Sequence, residues 1–273
     1  MTIAKSRTLI PQKTRRAITA IVVSVILWEI GSRSLSWLGV AIPGISAVPP
    51  PSAVANAFLG VVVEKSYWYS WYLSTLRVLG GFLVAMLLGI PLGIMLAINR
   101  TFNGIVFPVF EVLRPIPPLA WVPLAIIFWP TQGLSIGFVT FLGAFFTIVI
   151  NVLDGARSID GRFYSAAQSM GASRWQVFRR VILPATIPSI TVGAVVGMGI
   201  TWEVVVAAEM ISGSGSSMGR AGGGLGFFIW SSYLGGSYEQ IIVGMISIGV
   251  AGYLCSSAVR MLSEASTPWL KRR

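Results

Sequence analysis

Residues 165–188, SAAQSMGASRWQVFRRVILPATIP, form a polar, basic, helix-compatible insert with no obvious catalytic side chain, set in a chain that is otherwise strongly apolar. Of the 273 residues 55% are hydrophobic, 11% are charged and none is histidine. Soluble domains carry about a quarter of charged residues, so this composition points to a membrane protein. A hydrocarbon core takes roughly 20 apolar helical residues to cross. Six stretches meet or approach that length: Ala17–Trp37, Ser74–Ile98, Ile105–Trp129, Leu134–Leu153, Ala185–Ile211 and Tyr238–Leu262. In lipid every backbone N–H and C=O has to be paired within its own segment, and these runs are continuous rather than alternating, so helices are predicted and barrel strands are not. The expected fold is an all-α membrane protein with six transmembrane helices, and the insert falls between the fourth and fifth of them.

A net charge of +11 could indicate nucleic acid, but Lys and Arg stand at the ends of apolar runs instead of along a solvated face, so no nucleic-acid partner is expected. Of the 20 Lys and Arg, 15 fall on the side of the N-terminus and of the insert, four (Arg33, Lys65, Arg77, Arg220) fall on the other, and Arg114 lies within a span. The positive-inside bias places both termini and the insert in the cytoplasm, with membrane lipid as surroundings. The division expected is a basic N-terminal segment 1–16, a membrane domain 17–262 containing the insert loop 154–185, and a tail 263–273. The basic start followed by an apolar run imitates a secretory signal; with no convincing small-residue cleavage site it reads as a retained first span. Cys255, the only cysteine, lies in an apolar run and cannot form an intramolecular disulfide.

Within the insert, Asp160 or Ser165 can cap a short helix, and Ser165 and Gln168 stand at capping-box spacing. Gly171 can stop that helix in the left-handed conformation. Ser173 and Gln176 repeat the box, and a second helix carries Trp175, Phe178 and Ile182 as an apolar stripe before Pro184 and Pro188. A helix, a turn and a helix outside the membrane result. Two readings follow: a lever that lets a partner move two spans together, or an amphipathic loop resting on anionic lipid through Arg162, Arg174, Arg179 and Arg180.

The insert resembles the cytoplasmic signature of permease subunits of bacterial ABC importers: Ser165-Ala166-Ala167, Gly171 and Val181-Ile182-Leu183-Pro184 stand at that signature's spacing, with Ser165 in place of its acidic residue and Val181 in place of Ile. LRPIPPLAWVPLAI (113–126), VVAAEMI (205–211) and TPW (267–269) are similar to the nitrate, sulfonate, taurine and bicarbonate subfamily. The resemblance implies the type I importer permease fold and a bacterial inner-membrane location. It also implies a second permease copy, two ATP-binding subunits holding ATP and Mg, and an external solute-binding protein. Contact with the ATPases is then expected at Ser165, Ala166, Ala167, Met170, Gly171, Leu183 and Pro184. The cargo implied is a small oxyanion such as taurine, another sulfonate or nitrate, with bicarbonate or another small solute as alternatives.

An ionisable group at bilayer depth needs a partner or a wet cavity. Glu111 and Arg114, three residues apart, can face each other on one turn, beside a backbone broken by Pro115, Pro117 and Pro118. With Trp121 and Trp129 they are candidates for the translocation path, against a reading as an internal ion pair and packing. Trp202 and Glu209 share a helix face that Glu203 does not; Glu209 is expected to bond a loop or a partner helix, or to gate. Gly80, Gly81, Gly89, Gly93, Gly193, Gly197 and Gly199 are expected where helices meet. The outer stretch 43–78, with Ser52 as a possible cap and aromatics from Tyr67 to Tyr72, reads as an interfacial helix. The glycine-rich SGSGSSMGRAGGGLGFF (212–228) lacks the Gly-Lys-Ser/Thr of a phosphate loop and reads as a flexible external loop. With no catalytic constellation, metal-ligand cluster or resident cofactor in the pattern, an enzyme is not expected. An ion-gradient-driven transporter or channel stays open as the other class, since Glu203 and Glu209 could couple an ion.

Overall fold

The computed structural model describes residues 12–34, 37, 39, 43–213 and 223–266. Most of the basic segment 1–16, most of the glycine-rich loop and the TPW of the tail lie outside them. The chain divides into two units, residues 1–64 with 232–243 and residues 65–231 with 244–273.

In the first unit α1 (Gln12–Ser32) is followed by α2 (Pro51–Val61), which opens on a proline whose missing N–H costs nothing at that position. Ser52 is not the cap; Pro50 holds that place. Ser52 instead donates its backbone N–H and its hydroxyl to Glu29, at 3.0 and 2.9 Å, and Arg33 Nη2 reaches Ser52 Oγ at 2.8 Å. The predicted first span, 17–37, begins within α1, and i→i−4 bonds from Arg33 N to Glu29 O and from Trp37 N to Arg33 O carry the helical pattern on past Ser32.

The second unit is built on α3 (Lys65–Ile98), α6 (Gln132–Arg157) and α9 (Leu183–Gly213). Within the stretch 43–78 α2 is a separate short apolar helix, while the aromatic cluster belongs to the first turns of α3, which starts nine residues before the predicted Ser74. Tyr67 is buried there with its hydroxyl 2.7 Å from Ser247 Oγ, while Trp68, Tyr69 and Tyr72 are exposed. Glycines bring the three helices together: a Cβ at Gly81 would lie 2.9 Å from Phe141 N, at Gly93 2.8 Å from Val149 O, and at Gly193 2.9 Å from Asn151 Cβ. In lipid such contacts replace the hydrophobic drive. Gly80 and Gly199 face no neighbour. Among these three helices the tightest approach is Gly155 on α6, where a Cβ would collide with the Cβ and Oγ of Ser189. Gly155→Val is expected to destabilise the bundle by about 1–3 kcal/mol through overpacking, read as a lower melting temperature of the purified protein in detergent.

The predicted third span is corrected to two helices, α4 (Arg100–Leu113) and, after a 3₁₀ turn Pro118–Trp121, α5 (Val122–Phe128), bent by 88°. Pro115, Pro117 and Pro118 supply no N–H to continue the ladder, and Pro117, which precedes a proline, takes ψ 136°. Of the six predicted spans, four are long apolar helices (α3, α6, the helix 174–212 and α11, Tyr238–Ser266), the third is the bent pair, and the first lies on α1. The fifth span is not interrupted at Pro184: α8 (Arg174–Val177) continues through a π turn, Phe178–Ile182, into α9, with Leu183 N–H donating to Phe178 O. That wider turn absorbs the helical bond Pro184 cannot make. A helix was missed altogether: α10, Leu225–Leu234, occupies part of what reads in sequence as a flexible loop.

Candidate functional site

Two features stand out: a short exposed hairpin and a buried ion pair. The hairpin begins with α7 (Gly161–Ser169), capped by Asp160, whose Oδ1 accepts from Arg162 N at 2.9 Å and whose Oδ2 accepts from Arg162 Nε at 2.8 Å. The side chain of Arg162, and then its backbone N–H, hold the Asp160 carboxyl below its usual range. The Ser165–Gln168 box does not form; Ser165 lies mid-helix with its hydroxyl toward Gly161 O. Gly171, at φ +78°, ends the helix: its N–H donates to Gln168 O at 2.9 Å and that of Ala172 to Ala167 O at 3.0 Å, the paired bonds of a Schellman turn. Ser173 and Gln176 then close a complete capping box, at 2.7 and 3.3 Å.

Ala167, Val177 and Ile182 are buried in the bundle core, so the hairpin is packed onto the unit that carries it. Phe163, Met170 and Trp175 point the other way, 63%, 81% and 66% exposed. Of the apolar stripe Trp175, Phe178 and Ile182, Trp175 lies outermost and stacks on Phe178 at 5.3 Å. Of the expected contact residues Ser165, Ala166, Met170 and Gly171 are exposed, Leu183 and Pro184 are half-buried, and Ala167 faces its own bundle. Phe163 was missed, because one aromatic in a nine-residue helix carries no periodicity.

The second feature centres on Glu209, 1% exposed. Ser74 Oγ lies 2.9 and 2.8 Å from its two oxygens, Arg77 Nη1 donates to Oε1 at 2.7 Å, and Gly226 N donates to Oε2 at 3.0 Å. Leu225 N donates to Ser74 Oγ at 2.8 Å. The carboxylate therefore sits at the N-terminus of α10 and takes the Gly226 amide, which has no partner within that helix. Arg77, counted in sequence as an outer-side cation, lies inside α3 with its side chain 10% exposed, and is Glu209's partner. Nothing local signals this pair, as 132 residues separate its members. Trp202 is buried, its Nε1 without a hydrogen-bond partner among the described residues. The Glu111–Arg114 pair is not formed: both side chains are exposed and no ion pair joins them among the described residues, although Arg114 keeps helical dihedrals as the C-cap of α4. Trp121 and Trp129 line an aromatic cavity of about 370 Å³. Trp129 and Arg77 also border a larger one, of about 680 Å³, between α3 and the first turns of α6. Among the described residues no group of His, Cys, Asp and Glu could hold a metal ion.

Residues 89–272 match the family of binding-protein-dependent transport system inner membrane components. The chain belongs to that family. It is thus a membrane permease component with no catalysis of its own. The chain is 33% identical over 227 residues to the taurine transport system permease of Escherichia coli strain K12, 81% of this chain and 80% of that one. It is also 33% identical over 211 residues to the nitrate import permease of Leptolyngbya laminosa, covering 77% and 73% of the two chains. The fold matches, at a TM-score of 0.59 and 15% identity, a chain of a bacterial ABC transporter involved in import of the acidic polysaccharide alginate, over 93% of this chain and 96% of that one.

Proposed function

We propose that this permease moves a small oxyanion, of the taurine, alkanesulfonate or nitrate type, inward across the bacterial inner membrane in an ATP-driven importer. Two ATP-binding subunits, holding ATP and Mg, dock on the hairpin within the loop 154–185. A second permease copy completes the path through the membrane domain 17–262, and an external solute-binding protein delivers the cargo. Both termini, with the segments 1–16 and 263–273, are cytoplasmic. The names of the taurine and nitrate relatives support the substrate class.

One observation carries the reading: the hairpin exposes Met170 and Phe163 while Ala167, Val177 and Ile182 root it in the helix core. Force applied to α7 passes into α6 and α9, which its two ends join, and rocking of the bundle exchanges the exposure of the cavity. Single cysteines at Ala166 and Met170, in a Cys255→Ser background, are expected to crosslink to the ATPase subunit in membranes, and vesicles holding the complex to take up taurine or nitrate only with ATP. Uptake that follows a proton or sodium gradient, with no crosslink to a nucleotide-hydrolysing neighbour, overturns this in favour of a secondary transporter.

A further inference from the structure

The cavity of about 680 Å³ has an uneven wall. Apolar side chains of α3 and α6 make most of it, and Arg77 brings the only charge among the described lining residues. Three glycines on its border, Gly80, Gly133 and Gly137, differ from those that admit a neighbouring helix: a Cβ at any of them would meet nothing within 4 Å. Helical glycine costs about 1 kcal/mol relative to alanine, so three with no packing partner keep space open. A transmembrane helix laid in that space would press apolar surface on a guanidinium, which lipid-depth energetics disfavour. A hydrated anion would not.

Glu209 fixes where Arg77 stands without cancelling it completely. Its carboxylate also takes the Ser74 hydroxyl and the Gly226 amide at the positive end of α10. The node as a whole is close to neutral, with its cationic member on the cavity side. Such a site attracts an anion weakly, which suits passage, since a strong site would not release.

We infer that Arg77, positioned by Glu209 and Ser74, is the counter-charge met by a singly charged oxyanion in the cavity between α3 and α6. This rests on the proposed import of such an anion. The test uses the whole transporter with Cys255→Ser and Gly137→Cys, where the new side chain enters open space. It compares labelling by 2-sulfonatoethyl and 2-trimethylammonioethyl methanethiosulfonate, each normalised to its rate on a free thiol. The sulfonate reagent is expected to react about tenfold faster. Glu209→Gln, which keeps an acceptor but removes the negative charge, should widen that preference and lower the KM for uptake together with kcat. The double variant Arg77→Gln, Glu209→Gln, which strands no buried charge, should abolish it. Equal rates, or a faster cationic reagent, overturn the inference, as does an unreactive thiol. Labelling needs no transport, so a failure here with ATP-driven uptake intact leaves the proposed function standing. Absent uptake with the sulfonate preference intact removes only the transport reading.

Discussion

Glu209→Ala is expected to destabilise the permease by about 3–5 kcal/mol, the cost of stranding a buried charge whose partner is removed. Arg77 loses the carboxylate 2.7 Å away, Ser74 loses its acceptor, and the amide of Gly226 at the start of α10 loses its bond. Three elements, α3, α9 and α10, meet at this one side chain, so the loss is shared between them. Removing both ends is expected to be milder. Arg77→Leu with Glu209→Leu leaves no orphan charge, and buried pairs replaced by apolar residues are often neutral in stability. Thermal unfolding in detergent checks the order: Glu209→Ala well below the double variant, and that variant near the parent. If both melt alike, the node is no ion-pair anchor.

Gly171→Val is expected to cut the solute moved per ATP hydrolysed about tenfold while leaving insertion and bundle stability nearly unchanged. Gly171 holds φ +78°, and a Cβ there would meet nothing within 4 Å, so the penalty is backbone strain without a clash. For an L-residue the left-handed region costs about 1–2 kcal/mol, which in a two-state turn is a factor of roughly 5–30 in population. The strain is relieved by opening the turn between α7 and α8, and α7 then no longer points where α6 and α9 would feel it. Gly171→Asn, a residue that tolerates this conformation, is expected to retain coupling. Transport and ATP hydrolysis measured together in proteoliposomes of the full complex decide the matter. A valine variant with the parent's ratio removes the turn from the transmission.

The hairpin was legible because its signals are local. Gly171 and the Ser173–Gln176 box work over three or four residues, and both appear where their spacing put them. The exception, Asp160 over Ser165 as cap, was a choice between two residues of equal propensity, decided by where α6 ends at Arg157. The buried node was legible only in half. That Glu209 needs a partner follows from its apolar surroundings, but the spacing of Glu111 and Arg114 suggested a pair that does not form on the exposed face of α4, while the real partner of Glu209 lay far off in sequence. Leu225–Leu234 was hidden by the glycines before it, two of which, Gly224 and Gly226, are packed against Glu209 so closely that no side chain fits.

Composition and continuous apolar runs by themselves determined that this chain is a helical membrane protein, since lipid leaves the backbone no other way to satisfy its polar groups. Local spacing likewise determined the polar hairpin and the family it resembles. Which glycines admit a helix and which keep a cavity open, that the third span bends, and that Arg77 answers Glu209 were decided only in three dimensions. These depend on which helix faces meet, and a pattern confined to one helix holds no information about its neighbour.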